Sequence, residues 1–309
     1  MIQHYGPDLR FERSKIMNKD MWPAPAKINL MLHITRQRQD GYHELQTIFQ
    51  FIDFSDELIF RPRSDGQIKR YSKNFSVAED EDIIIRAAKT LQNKYLNKHP
   101  SAQPPGVDIQ LKKNIPMGAG LGGGSSDAAT TLVALNEIWK MSLSIEELAE
   151  IGLTLGADVP VFVHGFAAFA EGVGEKLSPI SPPEKWYLLL IPPVHVSTKE
   201  VFCNPDLTRD SSTIKLCDLS RREWRNVCTA VVEKNYPMVA QAIEIISNYS
   251  KASMSGTGAS VFAGFDTRAQ AEDVLQKIKE NPQVGTWKSF VAKGLNKSPL
   301  HSFLEKLEL

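Results

Sequence analysis

Five of the nineteen glycines in this 309-residue chain fall within seven consecutive positions, Gly118-Ala119-Gly120-Leu121-Gly122-Gly123-Gly124. Glycine lacks a Cβ, so such a run reaches positive φ and lets other atoms approach the backbone closely. Upstream, Val107, Ile109 and Leu111 alternate with Asp108 and Gln110, as in a half-buried strand. Downstream, Ala128, Leu132, Leu135 and Trp139 repeat at helical spacing, with Ser125 or Ser126 expected as N-cap and Asp127 in the first turn. In a strand, glycine loop and helix of this kind, bare amides and the positive end of the helix dipole converge on one spot. A phosphate group is the natural occupant. A flexible linker would not run straight into a capped amphipathic helix.

Two other phosphate loops fit less well. A Walker loop needs a lysine after its last glycine, and none follows here. Gly118, Gly120 and Gly123 match the dinucleotide spacing G-x-G-x-x-G, which would make the chain a nucleotide-dependent oxidoreductase. That fingerprint needs an acidic residue ending the next strand, whereas Glu137 lies on the helix beside Ile138 and Trp139.

Lysine plus arginine equals aspartate plus glutamate at 36 each, so no global charge recruits nucleic acid or an anionic membrane. Arg221-Arg222-Glu223-Trp224-Arg225 reads as a solvated helix face. Three scattered cysteines, Cys203, Cys217 and Cys228, suit a reducing compartment rather than a disulfide framework or zinc site. The longest apolar stretch, residues 159–170, is interrupted by His164 and Gly165 and is too short to span a bilayer. A soluble cytoplasmic protein is expected, with residues 1–20 an extension or a mis-assigned start.

Along the chain, Ala26, Ile28, Leu30, Leu32 and Ile34 are expected on one face of a strand, with Lys27, Asn29, Met31 and His33 on the other. Asp40-Gly41 marks a turn before a second alternating run from Leu45 to Ile52. Helices are expected over 80–97, over 145–155 with a Ser144/Glu147 capping box, and after the Thr267/Gln270 capping box. Between strands at 186–191 and 289–292 lies a second small-residue loop, Ser253-Met-Ser-Gly-Thr-Gly-Ala-Ser260, running into a strand from Val261 to Phe265. After the last strand only a tail is expected. Asp158, set among small and apolar residues just past a helix end, is either an N-cap or a functional carboxylate. Strands and helices mix with hairpin-like pairs, so the fold class is α+β. The Pro-rich stretch 180–184 divides an N-terminal ATP-binding domain, 21–180, from a C-terminal substrate-side domain, 181–309.

The glycine loop with its Ser-Ser, followed by Ser255-Gly256-Thr257-Gly258-Ala259, resembles the phosphate-binding and third motifs of the superfamily containing galactokinase, homoserine kinase, mevalonate kinase and phosphomevalonate kinase. Pro25-Ala-Lys27-Ile-Asn29-Leu30, Asp40-Gly-Tyr42-His43-Glu-Leu45 and Leu155-Gly-Ala-Asp158-Val-Pro160 resemble one branch, which phosphorylates a cytidyl-diphosphate polyol in non-mevalonate isoprenoid synthesis. The resemblance runs from Trp22 nearly to the C-terminus. It implies a two-domain fold with the active site in the interdomain cleft, and transfer of the ATP γ-phosphoryl group to the 2-hydroxyl of a methylerythritol moiety. It implies Lys27 and Asp158 as the catalytic pair. The ATP loop would comprise Pro116, Met117, Gly118, Ala119, Gly120, Leu121, Gly122, Gly123, Gly124, Ser125 and Ser126, with Lys113 towards the adenine. Tyr42 and Phe202 would sandwich the cytosine, and Asn29, His43 and Thr198 would hydrogen-bond the substrate. A sister kinase acting on another small alcohol is the alternative within the superfamily.

Phosphoryl transfer asks a protein for in-line positioning and stabilisation of spreading charge. Asp158 would accept the hydroxyl proton, and Lys27 beside it would offset developing charge. ATP implies Mg²⁺, towards which Ser125 or Ser126 could turn a hydroxyl; no carboxylate ligand stands out.

Overall fold

A computed structural model of the chain describes residues 21–72, 78, 80–221 and 223–307. The leading segment 1–20, expected as an extension, lies outside the described residues. In chain order the strands are β1 (Trp22–Gln37), β2 (His43–Arg63), β3 (Ile68–Tyr71), β4 (Gly106–Lys112), β5 (Ala168–Glu171), β6 (Lys176–Pro179), β7 (Trp186–Ile191), β8 (Ala252–Met254), β9 (Val261–Phe265) and β10 (Lys288–Leu295). The helices are α1 (Ile83–Lys98), α2 (Gly123–Ile138), α3 (Ile145–Leu155), α4 (Val159–His164), α5 (Thr198–Cys203), α6 (Thr229–Asn235), α7 (Pro237–Ser247), α8 (Arg268–Glu280) and α9 (Pro299–Leu307).

The long β2 organises the sheet, pairing with β1, β4, β5 and β10. From it the strand order runs β3-β4-β2-β10-β7-β9-β8, and among the described residues only β3 with β4 is a parallel strand pair. Adjacent antiparallel strands with helices packed against them make this an α+β fold, as the hairpin-like patterns imply. β4 lies antiparallel to β2, and α2 leads into α3 and α4. The βαβ crossover that a dinucleotide site requires is therefore not formed around the loop.

Several helices start where their sequences say they should. Ser144 and Thr267 each close a capping box, with Glu147 and Gln270 answering at N3. Each such cap contributes about 1 kcal/mol. Asp82 caps α1, whose Ile84, Ala88 and Leu91 are buried in a core shared with Leu132 and Leu135 of α2. A second cluster joins Leu188, Leu190, Val239 and Ile246 to Leu32 and Ile34, and a third contains Ile28, Met31, Ile48 and Leu189.

Four expectations need correction. Register shifts between Pro25/Lys27, Asn29/Met31 and Ile34/Arg36 break the simple alternation of β1. Met31 therefore packs with Ile28, and both faces of the strand are buried from Ala24 to Leu32. Helix α2 begins at Gly123, and its N-cap is Gly122 in a left-handed conformation at φ 71°, not Ser125 or Ser126. The tail is the helix α9, docked by Phe303 against Trp22 with ring centroids 5.1 Å apart. Finally, Glu223, Trp224 and Arg225 form no helix: they follow a 3₁₀ turn, and the Arg225 carbonyl accepts the Leu32 amide.

Candidate active site

The glycine loop is stitched on two sides. On one, the Lys27 amide donates to the Leu121 carbonyl at 3.0 Å, tying β1 to the loop. On the other, Ser255 Oγ donates to the Gly120 carbonyl at 2.8 Å and the Ser260 amide donates to the Ala119 carbonyl at 3.2 Å. Ser255 Oγ also accepts the Asn29 amide at 3.1 Å, so β1 and both small-residue loops meet at one hydroxyl. No side chain caps α2, which leaves its first amides available to an anion. Gly122 suits the cap because its left-handed φ and the nearby Phe162 ring leave no room for a side chain.

Gly120 shows why this loop tolerates nothing larger. Its φ is 73°, and a Cβ there would collide with the Ser255 carbonyl. Gly120→Ala is expected to destabilise the protein by about 1–3 kcal/mol and to weaken nucleotide binding together with it. Thermal unfolding and nucleotide titration check this, and an unchanged Tm would mean that the loop is not held against Ser255.

Beside the loop lies a cavity of about 400 Å³, lined by residues 116–125 and by Glu81, Asp82, Ile84, Lys113 and Asp127. Lys113 Nζ reaches Asp56 Oδ2 at 2.5 Å and Asp127 Oδ2 at 2.6 Å. Asp56 Oδ1 accepts the Asn114 and Ile115 amides at 2.6 and 2.8 Å, which fixes the chain entering the loop. Burial, with Asp56's charge adding to it, pushes the Asp127 carboxyl well above its ordinary range against the opposing pull of Lys113. Burial also works against the Lys113 ammonium, but its two carboxylate partners outweigh it and its pKa ends raised. Lys113 thus borders this cavity as the centre of a buried ion cluster. Neither Asp56 nor Asp127 stands out as a site residue in the sequence.

Lys27 and Asp158 meet beside the loop, Nζ to Oδ2 at 3.2 Å. Asp158 occupies the N-cap position of α4 but caps nothing; its side chain faces Lys27 and is 35% exposed. Lys27 is buried, and its stem lies under Gly122, where a Cβ would come within 3.1 Å of Cε. A relay holds the ammonium. Lys27 Nζ donates to Asn29 Oδ1 at 2.5 Å, Asn29 Nδ2 to Thr47 Oγ1 at 2.8 Å, and Thr47 Oγ1 to the Met31 carbonyl at 2.6 Å. Lys27 and Asn29 share a face, as their spacing implies, but Asn29 turns its amide inward to this relay.

Of the other residues expected to bind substrate, Thr198 and Phe202 lie on α5 and His43 packs against Phe202. The Phe202 ring stands 5.1 Å from that of His43, and Thr198 Oγ1 lies 2.9 Å from Thr257 Oγ1. Tyr42, at the β1–β2 turn, is 64% exposed. Burial, and then the Arg209 charge, push the His43 pKa below its ordinary value. Arg209 has no counterpart among the residues singled out in the sequence. The buried Ser126 hydroxyl, in the first turn of α2, has no hydrogen-bond partner among the described residues.

The whole arrangement is that of a small-molecule kinase, and two family models match it: the GHMP kinases N terminal domain over residues 82–166 and the GHMP kinases C terminal over residues 207–283. A 4-diphosphocytidyl-2-C-methyl-D-erythritol kinase of Shewanella denitrificans is 53% identical, covering 93% of this chain and 96% of the relative. One of Nitrosococcus oceani is 51% identical, covering 93% and 98%. The crystal structure of a 4-(cytidine 5'-diphospho)-2C-methyl-D-erythritol kinase superposes with a TM-score of 0.73 at 30% identity, over 89% of this chain and 98% of that one. A mevalonate kinase structure, at 15% identity and a TM-score of 0.63 over 90% and 99%, shares the fold. The chain belongs to the 4-diphosphocytidyl-2-C-methyl-D-erythritol kinase family, a branch of the GHMP kinases with their two-domain fold.

Proposed function

We propose that this protein transfers the γ-phosphoryl group of ATP to the 2-hydroxyl of 4-diphosphocytidyl-2-C-methyl-D-erythritol, a step of non-mevalonate isoprenoid precursor synthesis. The observation that carries the reading is the Lys27–Asp158 contact at 3.2 Å, on a strand whose Lys27 amide is bonded to the phosphate loop. The names of the relatives support the choice of substrate. In this reading residues 21–180 hold ATP and residues 181–309 face the polyol.

The chemistry follows from what each group can do. Residues 116–126 cradle the triphosphate with backbone amides already oriented, so no reorganisation is needed as charge develops. Asp158 takes the proton as the substrate oxygen bonds to the γ-phosphorus and the bond to the β,γ-bridging oxygen breaks, releasing ADP. Lys27, immobilised by Asn29 and Thr47, offsets charge on the moving group. When bound, Mg²⁺ neutralises phosphate charge, and the orphaned Ser126 hydroxyl suits a ligand to it. Tyr42 and Phe202 stack on the cytosine, with His43 and Thr198 supplying hydrogen bonds. The reaction is cytoplasmic, consistent with three free cysteines; among the described residues no helix is long and apolar enough to cross a membrane.

A labelled-ATP assay against a panel of alcohols, including homoserine, mevalonate and the cytidyl-diphosphate polyol, tests the reading. Turnover of the polyol alone is expected, and its loss in Lys27→Ala. Preference for homoserine or mevalonate would overturn it. Tyr42→Ala is expected to cost about 1–3 kcal/mol of affinity for the polyol substrate and to leave ATP affinity in place. Equal loss for a cytidine-free analogue would remove the stacking role.

A further inference from the structure

Arg209 lies outside any element of secondary structure, half-buried, and among the described residues it pairs with no carboxylate. Its guanidinium instead meets four neutral acceptors. Nε donates to His43 Nε2 at 3.1 Å, Nη1 to the Leu207 carbonyl at 3.1 Å, and Nη2 to the Phe202 and Asn204 carbonyls, both at 2.8 Å. Two of those carbonyls lie at the C-terminal end of α5, where a cation is favoured. One side chain therefore grips the helix that carries Phe202 and also the ring that stands 5.1 Å from Phe202.

A guanidinium has no lone pair to offer, so its partner must be an acceptor. His43 Nε2 is then unprotonated, and the single ring proton of the neutral imidazole sits on Nδ1. Among the described residues Nδ1 makes no hydrogen bond, and it is not one of the fully enclosed unpaired atoms, so it keeps some access to solvent beside Phe202. The result is a fixed N–H donor next to an aromatic face.

We propose that Arg209 is a positioning residue for base recognition: by holding His43 as its Nδ1–H tautomer and fastening α5, it makes the site demand an acceptor on the pyrimidine edge. Cytosine offers an acceptor at N3, where uracil carries an N–H; O2 accepts in both bases, so the discrimination lies at position 3. An imidazole free to change tautomer would meet either base. This rests on the cytidyl-substrate reading above and adds the group that enforces it.

The test has two arms. In wild-type protein labelled with ¹⁵N-histidine, two-bond proton–nitrogen spectra, assigned with His43→Asn, are expected to show His43 protonated at Nδ1 and bare at Nε2. A proton on Nε2 would overturn the proposal, and this arm needs no Arg209 variant to fold. In the second arm, Arg209→Met keeps the aliphatic stem and removes every donor. Its KM for the cytidyl substrate is expected to rise about tenfold, and its preference over the uridyl analogue to fall by about the same factor, while KM for ATP changes less than about twofold. Unchanged preference in a folded variant would also overturn it. If the wild type fails to turn over the cytidyl substrate but shows the Nδ1–H signature, the substrate reading fails and the tautomer lock stands.

Discussion

Asp158→Asn is expected to lower turnover by about 10²–10⁴-fold, the usual contribution of a positioned general base, while nucleotide affinity changes little. The split follows from the geometry. Asp158 contacts Lys27 directly and is not among the residues lining the cavity beside the glycine loop. Removing its proton-accepting capacity therefore leaves the amide cradle and the Lys113 cluster as they are. Lys27→Ala should fall in the same range, because in the proposed mechanism it removes the charge that faces the moving phosphoryl group, and it also frees Asn29 from its relay. The two act on one transition state, so the double variant is expected to be scarcely worse than the poorer single one. Single-turnover kinetics with ADP titration check this. Near-full turnover in Asp158→Asn, or an ADP affinity that drops as steeply as the rate, would sink the base assignment.

Long-range consequences of local pattern explain what could and could not be read from the chain. Capping boxes at Ser144 and Thr267, the alternation in β4 and the glycine cluster are local, and each lies where its residues imply. Helix α7 is not among the expected helices, although Pro237 opens it and Val239, Ala242 and Ile246 are buried along it. The bulges in β1 were not legible, because a register shift depends on what the partner strand offers and leaves no mark in the alternation itself. Asp56 was hidden for a related reason. Between Ser55 and Glu57 it reads as a surface turn, and only the arrival of β4 and the glycine loop above it turns it into a fully buried acceptor. Arg209 looked like one charge among many in a polar stretch. Its role comes from carbonyls exposed at the end of a helix too short to leave a strong periodic signal.

Asp56→Ala carries the largest expected cost to stability, about 3–5 kcal/mol, because it breaks a buried ion cluster and strands the backbone that enters the phosphate loop. Lys113 would keep only Asp127 as a partner, and the Asn114 and Ile115 amides would lose their acceptor. Asp127→Asn should behave differently, since Asp56 still balances Lys113 at 2.5 Å. The folded protein holds the Asp127 carboxyl well above the ordinary value of 3.8. A raised pKa means that the native state binds the proton more tightly than the unfolded chain does. The stability this group contributes is complete below the unfolded pKa and is lost as pH climbs through the folded one. Asparagine does not titrate, so relative to wild type the Asp127→Asn variant should gain stability as pH rises above about 4. The Lys113 shift has the same sense but acts only beyond the ordinary lysine range, outside this window. Urea unfolding of both variants and wild type from about pH 4 to pH 8 resolves the two effects. A cost for Asp56→Ala no greater than the roughly 0.5 kcal/mol of a surface change, or a pH-independent difference for Asp127→Asn, would show that the three side chains do not share one buried charge balance.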